Sequence, residues 1–191
     1  MSRQDILEAA AHIFRQKGFH AASMQDIADA VNLQKASLYH HIDSKQEILL
    51  ALLDQALDML IDDLEAIVSS EKPAPQKMKA AIHGYVEKMA GHADLASVLL
   101  LEFRSLAPEF RRKHIKRRDR FEGLWRQILQ QGMDSGEFRN MDPAVTGFAL
   151  LGAQNWLITW YRADGAQSPA ELADHYYSLF YQGIAEEHDQ T

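Results

Sequence analysis

The chain contains no cysteine, so neither a disulfide framework nor a thiolate metal site can form. This absence is typical of proteins that work in a reducing cytosol. Long apolar runs are missing too, since none approaches the roughly 18–20 residues that a membrane span requires. The first residues, MSRQD, turn polar and acidic at once, unlike a secretory signal peptide. We therefore expect a cytoplasmic protein that does not enter a membrane.

Positive charge is scarce overall, with 20 Lys and Arg against 27 Asp and Glu and a net charge of −7. Taken alone, this balance argues against a nucleic-acid-binding protein. The 191 residues, 47% of them apolar, suffice for a globular core. The nine histidines form no Glu-x-x-His or His-Glu-x-x-His pattern, and no Gly-rich phosphate loop is present. We expect no metal, no cofactor and no enzyme; an all-helical enzyme or metal-binding bundle without DNA binding is the alternative.

Helical patterns recur along the whole chain, and no run alternates with the period of a strand. Apolar spacing and helix caps, among them the capping boxes that begin at Ser23, Ser44 and Ser168, predict an all-α fold. Two prolines within residues 70–75 form the clearest break. The predicted helices are a first one ending at Gly18, then 23–30, 34–41, 45–70, 76–91, 94–106, 109–132, 142–163 and 169–186.

Residues 23–41 have the pattern of a helix, a tight turn at Val31–Leu33 and a second helix. Asn32 occupies the turn, where a left-handed residue is often needed. In helix-turn-helix units the second helix enters the major groove with its first residues at base edges. The candidate DNA-binding residues are Ser23, Gln34, Lys35, Ser37, Tyr39, His40, His41 and Lys45. The alternative is a solvated helical hairpin whose Tyr39 packs in the core.

The register from Gly18 to Glu47, with Leu38-Tyr39-x-His41 ahead of Lys45, resembles the TetR family of transcriptional regulators over about residues 3–50. The resemblance implies a helix-turn-helix domain at 1–44, a connecting helix at 45–70, and a larger helical ligand-binding and dimerisation domain at 76–187. It also implies a repressor that binds a palindromic operator as a homodimer and is released by a small, largely apolar effector. It assigns Ser23 a phosphate contact, Lys35 and Ser37 base-facing positions, and Tyr39, His41 and Lys45 backbone contacts.

The negative net charge of the whole chain is a weaker argument against DNA binding by the helix-turn-helix domain at 1–44, which we call the reading head. Residues 1–50 carry five Lys and Arg and six Asp and Glu, so the head is about neutral. Affinity must then come from a few placed contacts, doubled in a dimer, and the salt dependence should be shallow.

The last two predicted helices carry apolar residues on more than one face, which suggests burial on several sides. In the family that the chain resembles, the equivalent pair forms a four-helix bundle with its symmetry mate. Ordinary packing within one chain is the alternative for each residue. The candidate dimer-interface residues are Phe148, Leu151, Asn155, Ile158, Leu172, Tyr176, Leu179 and Phe180.

Apolar and aromatic residues of the middle helices are candidates to line a cavity beside the basic stretch RRKHIKRRDR at residues 111–120, and core filling is the alternative for each of them. This stretch is either a solvated face, a partner for acidic neighbouring helices, or a site for a phosphorylated ligand; DNA is disfavoured because the stretch lies well beyond the head. The run NWLITWYRADGAQSPAEL is similar to regulators of fatty-acid and sterol catabolism in the same family, which implies an acyl-CoA effector. The candidate ligand-binding residues are Tyr85, Met89, Leu99, Phe103, Arg111, Arg112, Phe121, Trp125 and Trp156.

Overall fold

The structure is a computed structural model that describes residues 2–185, and it confirms the predicted all-α fold. Within this range the only β pairing is an isolated antiparallel bridge between Phe138 and Ala185. The α-helices are α1 (Arg3–Lys17), α2 (Met24–Ala30), α3 (Lys35–Leu38), α4 (Lys45–Ser69), α5 (Ala74–Gly91), α6 (Ala93–Ser97), α7 (Pro108–Asp134), α8 (Pro143–Asn155), α9 (Leu157–Trp160) and α10 (Pro169–Ile184). A π-helix (Val98–Glu102) and a 3-10 helix (Phe103–Ser105) follow α6.

Local sequence signals explain most of these boundaries. The capping boxes that begin at Ser23 and Ser168 both form, and Gly18 ends α1 with a positive φ of 78°. Asn32 adopts the predicted left-handed conformation, with φ of 54°. The box at Ser44 forms in altered shape: the Ser44 hydroxyl accepts the Glu47 N–H at 3.1 Å, but the Glu47 carboxylate accepts the N–H of residue 43 instead.

Three predicted helices are shorter or less regular than expected. The helix predicted over 34–41 is α-helical only at Lys35–Leu38, because the next amides bond three residues back, His40 to Ser37 and His41 to Leu38. The helix predicted over 94–106 is divided into α, π and 3-10 segments. The helix predicted over 142–163 breaks at Trp156, between α8 and α9.

The described chain forms two compact units, whose boundaries fall inside α4 and α7. One contains residues 2–58 and 92–118 and buries Ile6, Phe14, Ile27, Leu38 and Ile48. The other contains residues 59–91 and 119–185 and buries Ile82, Val86, Trp125, Ile128 and Leu150. The division into functional domains at 1–44, 45–70 and 76–187 stays a prediction. Residues 186 and 187, predicted to belong to the last domain, lie outside the described residues.

None of the helices in residues 2–185 is long and apolar enough to cross a membrane.

Candidate nucleic-acid interface and effector cavity

The predicted reading segment, residues 32–41, is anchored in the core by one buried side chain. Leu38 is fully buried, and the Leu33 N–H donates to the Ala28 carbonyl at 2.9 Å to close the turn. Tyr39 is 44% exposed, which rules out the alternative that it fills the core. The other predicted contacts also face outward: Gln34, Lys35, His40 and His41 are exposed, and Ser37 is half-buried. The short helix therefore presents a continuous polar surface.

Ser23, the predicted phosphate contact before α2, is exposed but already engaged. Its hydroxyl donates to the Asp26 carboxylate at 2.8 Å and accepts the Asp26 N–H at 3.1 Å. Hydrogen bonds from the Lys17 ammonium and from Ser23 lower the pKa of Asp26 to about 2. Asp26 is thus ionised at neutral pH and holds the Ser23 hydroxyl proton. A phosphate contact from Ser23 would require that proton to turn away from Asp26.

Lys45, predicted to contact the DNA backbone, points its ammonium into the loop between α1 and α2. The Nζ atom donates to the Phe19 carbonyl at 2.7 Å and to the Ala22 carbonyl at 2.6 Å. It also lies 4.5 Å from the centre of the Phe19 ring. In this structure Lys45 therefore closes the loop that leads into α2.

The eight predicted dimer residues separate into three groups. Leu151 and Leu172 are buried within the single chain, and Asn155 accepts a hydrogen bond from the Tyr85 hydroxyl, so these three belong to intrachain packing. Phe148 and Leu179 are 56% and 68% exposed. The remaining three, Ile158, Tyr176 and Phe180, are half-buried.

A small cavity lies among α4, α5 and α7 in the second unit. Its lining residues are Leu60, Asp63, Leu64, Ile67, Ala81, Gly84, Tyr85, Lys88, Phe121 and Trp125. The volume of this cavity is only about 10 Å³. That is roughly what one water needs. A ligand could enter only if the side chains moved apart.

One residue of the cavity lining, Trp125, has a buried side-chain donor without a partner among residues 2–185. Trp125 is 1% exposed, and its Nε1 has no hydrogen-bond partner among the described residues. Tyr85 and Phe121 stack nearby with ring centres 6.1 Å apart, and burial raises the pKa of Tyr85. At the same cavity Lys88 donates to the Met59 carbonyl and pairs with Asp63. Sequence patterns had identified the aromatic residues but not Lys88, whose position depends on how α4 and α5 pack.

The other predicted ligand residues lie elsewhere. Met89 is buried outside the cavity lining, and Trp156 is 65% exposed. Leu99 and Phe103 belong to the first unit, where the Phe103 ring lies 6.5 Å from His114. His114 is buried, and burial lowers its pKa. The structure therefore does not gather the predicted set in one place.

Two arginines of the basic stretch, Arg117 and Arg120, pair with acidic residues of α4. Arg117 contacts Asp58 and approaches Asp54, with 3.4 Å between Nε and Oδ1. Burial raises the pKa of Asp54, against the attraction of Arg117. In the second unit Arg120 donates to Glu65 at 2.6 Å. At these positions the structure shows the alternative in which acidic neighbouring helices partner the basic stretch.

The two arginines predicted to bind ligand phosphates differ in their surroundings. Arg111 donates to the Arg104 carbonyl at 2.8 Å and the Leu106 carbonyl at 3.0 Å, so its guanidinium caps the 3-10 helix. Arg112 is exposed to solvent. Of the pair, Arg112 is the better placed to meet an anion.

Across residues 2–185, no group of three or more His, Asp or Glu side chains is arranged to hold a metal ion.

Comparison with known proteins matches almost the whole chain. The family model for bacterial regulatory proteins of the tetR family matches residues 6–52, and that for the C-terminal domain of tetracyclin repressor-like proteins matches residues 71–184. The HTH-type transcriptional repressor KstR2 of Rhodococcus jostii (strain RHA1) is 28% identical over 98% of this chain and 93% of its own.

Two solved structures extend the likeness to the fold. The TetR family transcriptional regulator PfmR from Thermus thermophilus is 36% identical, with a TM-score of 0.87 over 96% of this chain and 99% of its own. AibR, crystallised with isovaleryl coenzyme A and operator DNA, is 26% identical, with a TM-score of 0.87 over 94% of this chain and 97% of its own.

Proposed function

The chain belongs to the TetR family of bacterial regulatory proteins, and on that basis we propose that it binds a palindromic operator as a homodimer until an acyl-CoA effector releases it. As a member of the family it is a DNA-binding transcriptional repressor that responds to a ligand. The proposal adds the symmetry, the effector class and the residues. It assigns operator reading to 1–44, connection to 45–70, and effector binding and dimerisation to 76–187, with no enzymatic activity and a cytoplasmic location.

The observation that carries the proposal is the outward polar face of residues 34–41. Gln34 and Lys35 stand at the start of α3, where amide and ammonium groups can meet base edges. Tyr39, His40 and His41 follow on the exposed turn, where their donors can reach phosphate oxygens. Leu38 alone turns inward, so the surface can be changed without opening the core.

Substitution on this face tests operator reading. Lys35→Ala and Tyr39→Ala should each weaken binding to DNA upstream of the chain's own gene by about 1–3 kcal/mol, with unchanged helical content. Lys72→Ala, at an exposed loop lysine, serves as the matched control and should bind normally. Electrophoretic retardation and circular dichroism give the two readouts. Normal binding by both head variants would refute the assignment of residues 34–41.

The exposed apolar face of α8 and α10 supports the proposed homodimer. Val145 is 64% exposed, close to the values for Phe148 and Leu179, and exposed patches of large apolar side chains mark interaction surfaces. On α10 the rings of Tyr176 and Phe180 stack beside this face. A second copy would cover it through the same surface, as two-fold symmetry requires.

Two leucines of similar exposure provide a matched test of the dimer. Leu179→Lys should yield a monomer in sedimentation analysis, because the charge would be buried without a partner at the interface. Leu101→Lys changes a leucine that is 62% exposed in the other unit and should leave the dimer intact. A Leu179→Lys protein that remains dimeric at micromolar concentration would place the interface elsewhere.

The unsatisfied Trp125 donor supports an acyl effector. A buried N–H without a partner is unfavourable, and a ligand carbonyl entering the cavity would satisfy it. The surrounding Leu60, Leu64 and Phe121 suit an alkyl chain, which must widen the cavity on entry. AibR was crystallised in complex with isovaleryl coenzyme A, a thioester of this chemistry, together with operator DNA.

Isovaleryl-CoA and octanoyl-CoA, each beside its free acid, are suitable probes of operator release. We expect release by at least one thioester and none by the acids. Trp125→Phe should raise the required thioester concentration about 2–10-fold, the equivalent of one hydrogen bond. The control is Trp156→Phe, at an exposed ring. Equal potency of acid and thioester, or an unchanged Trp125→Phe protein, would contradict this part of the proposal.

The predicted contact of Arg112 with effector phosphates stays a prediction. Arg112→Ala should desensitise the protein to the thioester without loss of operator affinity, whereas Arg139→Ala, at another exposed arginine, should not. A normal response by Arg112→Ala would identify this part of the basic stretch as a solvated face.

A further inference from the structure

Residues 93–107 form an irregular segment at a place where sequence periodicity predicts one continuous helix. A single α-turn gives way to the π-helix Val98–Glu102 and then to a 3-10 turn. The Ser97 hydroxyl donates to the Ala93 carbonyl at 2.8 Å, a bond that bends helices. Single π turns within helices occur frequently at functional sites.

This segment forms hydrogen bonds with α1 of the reading head and with the first turn of α4 within the same unit. Asp94 accepts from Arg15 of α1 at 2.8 Å and also bonds to His12. Gln46 of α4 donates to the Ser105 carbonyl at 2.9 Å and accepts the N–H of residue 107 at 2.9 Å. The irregular segment is therefore fastened to both α1 and α4.

Glu102, the last residue of the π turn, reaches the loop that leads into α2. Its Oε1 accepts the Phe19 N–H at 3.1 Å, and its Oε2 accepts the Ser105 hydroxyl at 3.1 Å. Since that hydroxyl has only one proton, its 3.2 Å contact with His20 must be donated by the imidazole Nε2–H. A carboxylate with both oxygens engaged is fixed in direction.

We propose that Glu102 is a positioning residue for operator binding, because its carboxylate fixes the Phe19 N–H four residues before Ser23 and so sets the placement of α2. The inference rests on the proposed operator binding by the reading head. Carbonyl groups of the same loop accept hydrogen bonds from Lys45. The loop is therefore bonded through an N–H to Glu102 of the π turn and through its carbonyls to Lys45 of α4. Glu102 itself touches no DNA.

The π turn is what brings the carboxylate to this loop. It accommodates one residue more than a regular turn, and one residue corresponds to a rotation of about 100° around a helix. In a regular helix over 94–106, Glu102 would therefore point in another direction. The π turn therefore places the Glu102 carboxylate where it can accept the Phe19 N–H.

Two conservative variants separate the reach of the side chain from its charge. Glu102→Asp keeps the charge but is one methylene shorter, so the Phe19 bond is lost; Glu102→Gln keeps an oxygen at the same reach. Glu87→Ala, at an exposed glutamate of α5, is the control. Full-length proteins are titrated with a duplex that the wild type selects from a random pool, at several salt concentrations. Hydrogen exchange of the peptide covering residues 18–22 is followed in parallel.

We expect Glu102→Asp to bind the duplex about tenfold more weakly, with an unchanged salt slope and faster exchange at 18–22. Glu102→Gln should stay within about threefold of the wild type. Normal binding by Glu102→Asp, equal losses in Asp and Gln, or a salt slope reduced by about 0.9 per protomer would each overturn the inference. A wild-type protein that enriches no duplex would instead refute the proposed operator binding.

Discussion

Replacing Lys45 by methionine tests whether this lysine stabilises the loop between α1 and α2 or contacts the DNA backbone. Methionine keeps most of the apolar stem but removes the ammonium held by the Phe19 and Ala22 carbonyls. Hydrogen bonds from charged groups contribute about 1.5–3 kcal/mol each, and the contact with the Phe19 ring adds about 0.5–1 kcal/mol. Ordering the long side chain offsets part of this gain. We expect a net loss of about 2–3 kcal/mol in the free energy of unfolding.

The assay combines thermal unfolding with salt-dependent operator binding. A loss of that size should lower the melting temperature by about 4–12 °C for a chain of this length. Operator affinity should fall, because the loop before α2 loses its carbonyl anchor, while the slope of log affinity against log salt stays constant. A phosphate contact would instead remove about 0.9 from the slope per protomer, or about 1.8 per dimer.

Lys35→Met is the matched comparison, since Lys35 is exposed on the reading face. It should leave the melting temperature unchanged and weaken operator binding. If Lys45→Met melts like the wild type and its salt slope falls, Lys45 is a DNA contact and the loop-closing role is refuted.

Three further predictions concern the fold. Asn32, at φ of 54°, should accept glycine with little change, whereas Asn32→Val should lose about 1–2 kcal/mol in urea unfolding; a neutral valine would contradict the left-handed turn. Gly132→Ala would place a Cβ against the Phe138 ring and should cost about 1–3 kcal/mol, with partial recovery in the double variant carrying Phe138→Leu; no loss in the single variant would contradict that contact. Because hydrogen bonds from Lys17 and Ser23 lower the folded-state pKa of Asp26 from 3.8 to about 2, the stabilisation that ionised Asp26 contributes is complete above about pH 4 and is lost as the pH falls towards 2. Melting curves of wild type and Asp26→Asn should therefore converge at low pH, and a constant difference would count against the ion pair.

Local chemistry explains why several features could be predicted from the chain alone. A capping box forms between two residues that are three positions apart in the sequence. A left-handed turn requires only a residue, such as Asn32, that tolerates this conformation. Both features can therefore be predicted from residues that are close in sequence. The outward face of residues 34–41 follows from one buried leucine, because Leu38 is the only residue of this range that is buried and all the others are at least partly exposed. The family resemblance rested on the same short-range register.

Other features could not be predicted, because they depend on which helices pack against each other in the fold. The apolar stripe of α8 did not reveal that Leu151 faces the chain's own core while Phe148 faces solvent, since periodicity shows that a face is apolar but not what covers it. For the basic stretch, pairing with acidic neighbouring helices was one of three alternatives, and the sequence pattern did not decide among them. Arg117 and Asp58 are 59 residues apart in sequence, and only helix packing brings them together.

The all-α class, the caps, the Asn32 turn and the polar reading face were predictable from the chain alone, because each depends on interactions within a few residues. The carbonyl partners of Lys45, the unsatisfied Trp125 donor and the contact between Glu102 and Phe19 became apparent only from helix packing. A lysine or glutamate side chain can interact with solvent, with DNA or with a backbone group, and its chemistry alone does not decide among them. Which of these it meets is fixed by partners that lie tens of residues away along the chain.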